Sequence, residues 1–125
     1  MLKKVAFTMF PVKNAKRARA FYEETLGLTV GSHASNGVWT EYDLPEGGCL
    51  ALFANPASSG GDDTPSDGSG GSVAFEVEDL DALSARLKTQ GVKFRHEGIE
   101  SPVCRMSIIA DSEGNSIILH QLKKK

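Results

Sequence analysis

Apolar residues recur with two different periods along the chain, and these periods predict the same order of elements twice. In the first half, the pattern predicts a strand, a helix and three further strands at 5–12, 15–26, 28–30, 38–44 and 49–53. In the second half, it predicts the same succession at 72–77, 80–90, 92–94, 103–110 and 116–122. Each half therefore has the order βαβββ.

Residues at the helix ends strengthen this internal repeat. Asn14 and Asp79 are good N-caps, because their side-chain oxygens can accept hydrogen bonds from the first helical turn. Gly27 and Gly91 suit the left-handed residue that ends a helix. The second helix is one residue shorter. When the halves are superposed, further pairs coincide: Phe10 with Phe75, Val12 with Val77, and Glu46-Gly47 with Glu113-Gly114. An α+β domain with chance similarity between its halves is the alternative interpretation.

The middle of the chain has the composition of a linker. Residues 55–71, NPASSGGDDTPSDGSGG, contain no apolar side chain larger than alanine, so this segment cannot bury itself. We therefore expect one domain made of module one at 1–54, a flexible linker at 55–71 and module two at 72–125.

Charge and composition argue against several classes of partner. The net charge is −2, so neither nucleic acid nor an anionic membrane is an expected partner. No apolar run approaches the ~20 residues that a membrane-spanning helix needs. The first ten residues lack the apolar core of a signal peptide, which leads us to expect a cytoplasmic protein. Cys49 and Cys104 do not form a CxxC motif, and we expect two free thiols.

Three segments resemble the vicinal-oxygen-chelate superfamily, the group of glyoxalases, bleomycin-resistance proteins and dioxygenases. They are the first helix with its FY pair and LGL end, the segment VAFEVEDLDALSARLKTQGVKF, and the closing hairpin ADSEGNSIILHQ. The resemblance implies an α+β fold in which two paired βαβββ modules form curved sheets around a cup. It also implies a small organic molecule as partner, and a homodimer.

Strand alternation, phased by the helix-facing residues and by the repeat, assigns one face of each sheet to the cup. The similarity to thiol-transferring antibiotic-resistance members places Cys104, Met106 and Ile108 on this face, and the repeat then adds Gly37, Trp39 and Glu41. The residues that we expect to contact a ligand are Phe7, Met9, Trp39, Glu41, Phe53, Cys104, Met106, Ile108, Ile118 and His120.

The family's metal site is altered in this sequence. Metal-dependent members hold a divalent ion with His or Glu at four points, two in each module. By resemblance, these points fall on Phe7, Ala51, Ser72 and Ile118. Three of these side chains cannot coordinate a metal, and a serine hydroxyl is a feeble ligand. We expect neither a metal nor another cofactor. A displaced site, with ligands converging from His120, Glu41, Glu76 or a cysteine, is the alternative.

Two classes of function remain open. The first is a metal-independent small-molecule-binding protein of the glyoxalase and bleomycin-resistance type, which holds its ligand in the apolar cup. The second is an enzyme of the lyase, isomerase or transferase type, in which His120 and Glu41 transfer protons on a small organic substrate. A scaffold that only dimerises is a third.

Each polar cup residue also has a purely structural interpretation. His120 could orient a neighbour or meet solvent at the rim. Glu41 and Glu76 would have raised pKa values inside an apolar cup, but either could lie in water at the sheet end, and this is the position we expect for Glu76. The cysteines are expected to be buried small side chains rather than nucleophiles, and Trp39 serves core packing or ligand stacking equally well. Residues 96–102 are expected to form a connection, which could cover the cup.

We predict that purified protein carries no stoichiometric transition metal, because the four ligand points hold Phe7, Ala51, Ser72 and Ile118. Elemental analysis of tag-free protein, followed by titration with zinc, nickel, manganese and iron, measures this directly. One tightly held ion per chain would contradict the prediction.

Overall fold

The computed structural model describes residues 1, 3, 5–33, 37–54, 64–65 and 71–124. The chain divides into two compact units, Met1–Ser66 and Asp67–Lys125, which correspond to module one and module two. Most of the predicted linker, 55–63 and 66–70, lies outside the described residues.

Within the described residues, each module contains one four-stranded sheet and one helix. In module one the elements are β1 (Thr8–Pro11), α1 (Ala15–Ala20), a π-helical turn (Phe21–Thr25), β2 (Val30–His33), β3 (Trp39–Asp43) and β4 (Cys49–Phe53). In module two they are β5 (Ser72–Glu76), α2 (Leu80–Thr89), β6 (Phe94–Glu100), β7 (Cys104–Ala110) and β8 (Ser116–Leu122).

The two sheets share one topology. Their strand orders are β1-β4-β3-β2 and β5-β8-β7-β6. In each sheet the first strand runs parallel to the last, and the other neighbours are antiparallel. The repeated βαβββ order predicted from the sequence is therefore confirmed, although several strands differ in length from the prediction.

The helix ends form as the sequence predicts. The Asn14 side chain accepts a hydrogen bond from the backbone N–H of Arg17 at 2.9 Å. Asp79 accepts the corresponding bond from Ala82 at 3.0 Å. Gly27 and Gly91 both have a φ of +79°, a left-handed conformation that a residue with a Cβ adopts only at a cost.

A π-helical turn absorbs the extra residue of the first helix. At Phe21–Thr25 the helix widens, and the Leu26 N–H donates to the Phe21 carbonyl, five residues earlier, at 2.9 Å. A single inserted residue is the usual origin of such a turn. It allows the segment between Asn14 and Gly27 to be one residue longer than its counterpart, while both ends keep equivalent roles.

The core of each module lies between its helix and one face of its sheet. In module one, Tyr22 from the π-helical turn stacks on Tyr42 of β3, with ring centroids 5.9 Å apart, and both side chains are fully buried. The surrounding buried residues are Phe10, Ala18, Leu50 and Leu52. In module two, the buried set is Leu80, Leu87, Ile109, Ile117 and Leu119. Full burial of each large apolar side chain contributes about 1.5–3 kcal/mol.

The segment 96–102 corrects one expectation from the sequence. It was expected to be a connection, but β6 runs through Phe94–Glu100 and pairs with β7. The pairing changes register twice, between Phe94 and His96 and between His96 and Ile99. Gly98, with a φ of +68°, lies in the second irregularity. Bulges of this kind interrupt the alternation by which a strand is recognised in a sequence.

Within the described part of the chain, no helix is long and apolar enough to cross a membrane.

We predict that Asp79→Ala destabilises the protein by about 1 kcal/mol, because it removes the N-cap of α2. Urea denaturation followed by circular dichroism measures the change. Asp79→Asn is the matched control, since asparagine caps equally well and should leave the free energy of unfolding nearly unchanged. Equal losses in the two variants would show that the charge of Asp79, rather than its capping hydrogen bond, matters.

Candidate functional site

Seven residues share the sheet face of module one that is turned away from α1. Strand pairing sets Trp39 beside Phe53, and Ala51 beside both Glu41 and Met9. Paired residues point to the same side of a sheet. We call this surface the far face of module one, and its members are Phe7, Met9, Trp39, Glu41, Cys49, Ala51 and Phe53.

Three aromatic rings cluster on this far face. The Phe7 ring meets the Trp39 ring edge-on, with centroids 5.5 Å apart and planes at 88°. The Trp39 and Phe53 rings lie 6.1 Å apart at 54°. Such tilted and edge-on arrangements are the favourable ones for aromatic pairs. Phe7 is 46% exposed and Met9 41% exposed, while Trp39 and Phe53 are half-buried.

Glu41 accepts hydrogen bonds from two neighbouring side chains of the far face. The Trp39 indole Nε1–H donates to Glu41 Oε2 at 2.8 Å. The Cys49 thiol donates to Glu41 Oε1 at 3.5 Å. The carboxylate therefore fixes the orientation of the indole ring and orients the thiol. The repeat predicted Trp39 and Glu41 on one face, but nothing in the sequence pointed to the hydrogen bonds that Glu41 accepts from Trp39 and Cys49.

Cys49 is poorly suited to nucleophilic chemistry. Burial, followed by the hydrogen bond to Glu41, raises the pKa of its thiol to about 11. Both effects disfavour the thiolate, which is the reactive form. Cys104 is buried, and its sulfur lies 3.2 Å from Ser101 Oγ. Both cysteines are free thiols, as the sequence predicts.

Module two has a corresponding far face, turned away from α2. The strand pairing sets Ile118 beside Ala74 and Ile108, and His120 beside Glu76 and Met106. Cys104 lies in the same row of β7, two residues before Met106, with Ser72 and Ser116 at the other end. The members of the far face of module two are Ser72, Ala74, Glu76, Cys104, Met106, Ile108, Ser116, Ile118 and His120.

His120 and Glu76 form a hydrogen-bonded pair on this face. His120 Nδ1 lies 2.5 Å from Glu76 Oε1, and the backbone N–H of Leu122 donates to Glu76 Oε2 at 2.9 Å. The Leu122 N–H and then His120 lower the pKa of Glu76. The carboxylate is exposed to solvent and stabilised by two hydrogen bonds, so of the two interpretations of Glu76 the structure agrees with the one that places it in water at the sheet end.

The two groups expected to share proton transfer have different partners. Glu41 is bonded to Trp39 and Cys49 in module one, and His120 is bonded to Glu76 in module two. The sequence named Glu76 and His120 singly but missed the pair. A parallel register between the first and last strands of the module would have revealed it, because that register makes the two residues direct neighbours.

The four residues to which the resemblance assigns the family's metal ligands occupy equivalent positions in the two modules. Phe7 comes one residue before Thr8, and Ala51 comes one residue after Leu50, with which Thr8 is paired. In the same way, Ser72 comes one residue before Val73, and Ile118 comes one residue after Ile117, with which Val73 is paired. Among the residues that the structure describes, no group of three or more His, Cys, Asp or Glu side chains could hold a metal ion.

A cavity of about 390 Å³ lies in module two beside α2. It is bounded by α2, β6 and β7, and ion pairs join its walls. Lys88 contacts Glu97 at 2.8 Å, and Arg105 contacts Asp81 at 2.6 Å. None of the predicted ligand-contacting residues except Met106 lines it.

The comparisons with known proteins agree with this architecture. The family model of the Glyoxalase/Bleomycin resistance protein/Dioxygenase superfamily matches residues 4–119. The chain therefore belongs to this superfamily. No curated protein sequence matches the chain.

Solved structures with the same fold are similar over nearly the whole chain. A glyoxalase/dioxygenase from Nostoc punctiforme is 20% identical, with a TM-score of 0.78, covering 98% of this chain and 92% of that one. TnmS3, an antibiotic-binding protein from Streptomyces sp. CB03234, is 23% identical, with a TM-score of 0.69, covering 98% and 100%. The fosfomycin resistance protein FosX from Listeria monocytogenes is 17% identical, with a TM-score of 0.73, covering 97% and 94%.

We predict that Cys49 reacts slowly with thiol reagents. With a pKa of about 11 instead of 9.0, its thiolate fraction at about pH 8 is roughly a hundredfold smaller. Ellman's reagent on a Cys104→Ser background measures the rate. Glu41→Gln should accelerate labelling, because it removes the negative charge beside the thiol. The prediction would be contradicted if Cys49, with Glu41 intact, reacted as fast as free cysteine.

Proposed function

We propose that this chain is a metal-independent small-molecule-binding protein that holds its ligand in an apolar cup, with the far face of module one as a contact surface. The observation that carries the proposal is the aromatic surface of module one. Phe7 and Met9 remain largely exposed there, beside the half-buried Trp39 and Phe53. Aromatic side chains offer a large contact area and have few rotatable bonds, which suits the binding of a flat organic molecule.

The hydrogen bond from Trp39 to Glu41 supports this role. A ring whose orientation is already fixed loses less conformational entropy when a ligand stacks on it. The Glu41 carboxylate also provides a polar group beside the aromatic surface. A few polar groups among apolar ones are typical of ligand sites, because they orient a molecule that the apolar surface holds.

The residues at the family ligand points favour binding without a metal. Phe7, Ala51 and Ile118 add apolar surface where metal-dependent members place charged or imidazole ligands. The names of two proteins with the same fold, an antibiotic-binding protein and a fosfomycin resistance protein, suggest antibiotics as a first class of ligands to screen.

We predict that Trp39→Ala weakens binding of a flat aromatic ligand by about 1–3 kcal/mol, the order of the apolar surface lost. Trp39 is the chain's single tryptophan. Quenching of its fluorescence therefore identifies ligands from a panel of aromatic antibiotics, and calorimetry then compares the variants.

Two control variants make this experiment specific. Phe94→Leu changes an aromatic residue whose ring lies under Lys88 on the helix side of module two, and it should leave affinity unchanged. Trp39→Phe should retain part of the affinity. Unchanged affinity in Trp39→Ala, for a ligand that quenches the wild-type fluorescence, would refute the proposed role of the aromatic surface.

A further inference from the structure

The Glu76–His120 pair is held in place from several directions. The two residues are direct neighbours in the parallel pairing of β5 with β8. One carboxylate oxygen of Glu76 contacts His120 Nδ1, and the other accepts the Leu122 backbone N–H. Since both oxygens are engaged, the carboxylate cannot rotate away from the imidazole without losing a hydrogen bond.

This geometry dictates where the neutral imidazole carries its proton. A carboxylate can only accept hydrogen bonds, so Nδ1 of His120 must be the donor. The other ring nitrogen, Nε2, is then unprotonated and presents its lone pair. A carboxylate that fixes the tautomer of a histidine in this way is the arrangement that makes an imidazole an oriented base.

The surroundings of His120 suit an organic substrate. Its side chain is 26% exposed, so it is neither fully enclosed nor fully solvated. Met106, its neighbour on β7, and Ile118, two residues earlier on β8, offer apolar surface on the same face. A molecule that rests on this surface can bring an acidic C–H bond to the imidazole.

We propose that Glu76 and His120 form a proton-transfer dyad, in which His120 is the general base toward a small organic carbon acid and Glu76 is its positioning residue. In the step, Nε2 takes the proton, and the electron pair of the C–H bond stays on the substrate, where an electron-withdrawing group or a leaving group accepts it. Glu76 stabilises the imidazolium that forms. No oxidant or metal ion is needed for this transfer.

This activity goes beyond the proposed binding function and can fail separately from it. The carboxylate partner differs from the Glu41 that was expected from the sequence. Trp39→Ala tests binding on module one, whereas substitutions at Glu76 and His120 test proton transfer on module two.

The first test is the tautomer of His120, read from the ¹⁵N shifts of its ring nitrogens by NMR. In the neutral imidazole of the wild type, we expect the proton on Nδ1. In Glu76→Gln, the Leu122 N–H still donates to the side-chain oxygen, so the amide NH₂ group faces Nδ1. Because this NH₂ group is a donor, Nδ1 must accept, and the proton should move to Nε2. Glu78→Gln removes an exposed carboxylate two residues away and should change nothing.

The second test is turnover of 5-nitrobenzisoxazole, a small aromatic carbon acid. A base removes its C3 proton, the N–O bond breaks, and the electron pair ends on the phenolate oxygen of a coloured product. We expect the wild type to exceed His120→Ala by about 10²-fold or more, the lower range of a positioned general base. Glu76→Gln should be slower than the wild type, and Glu78→Gln should equal it. Added imidazole should restore part of the rate of His120→Ala.

Circular dichroism checks that each variant is folded. If His120→Ala does not fold, His120→Gln replaces it. Equal turnover by the wild type and the His120 variant overturns the dyad. A wild-type proton on Nε2, or an unchanged tautomer in Glu76→Gln, also overturns it. The expected tautomers together with the expected order of rates support it.

Discussion

The burial of one sheet face under a single helix is the constraint on which each module depends. Tyr22 packs on Tyr42 in module one, and Leu87 is buried together with Ile117 and Leu119 in module two. Because successive residues of a strand point to opposite faces, this burial also determines every residue of the far face. A slip of one residue in β8 would expose Leu119 and bury His120. The side chains available for chemistry are thus a consequence of core packing.

Much of the fold could be predicted from the sequence because local signals and the internal repeat agree. Asn14 and Asp79, with Gly27 and Gly91, mark the ends of two helices whose lengths differ by one residue, and the π-helical turn absorbs the difference. β6 was predicted too short because its signal is broken. Its two register shifts and the positive φ of Gly98 remove the alternation on which recognition of a strand depends.

The candidate site was predictable as a surface but not as a set of interactions. The resemblance, carried over by the repeat, predicted Trp39 and Glu41 on the cup face of their sheet, and alternation predicted His120 on the cup face of the other sheet. Hydrogen bonds depend on rotamers and on register between strands distant in sequence. The contact of Glu76 with His120 joins residues 44 positions apart, and that of Glu41 with Cys49 crosses a hairpin. Neither leaves a local pattern that a single sequence could reveal.

The resemblance implies that the family's metal ligands are replaced in this chain. On that proposal, a carboxylate on a far face has no bound cation beside it to stabilise its charge. Glu41 instead accepts hydrogen bonds from an indole N–H and a thiol, and Glu76 from a backbone N–H and an imidazole. The two sets of hydrogen-bond donors have different consequences for function. Trp39 and Cys49 are neutral donors that keep their protons near neutral pH, so Glu41 holds an aromatic surface in place. An imidazole is a side chain that can act as a general base, so in the proposed dyad Glu76 orients the group that takes the proton.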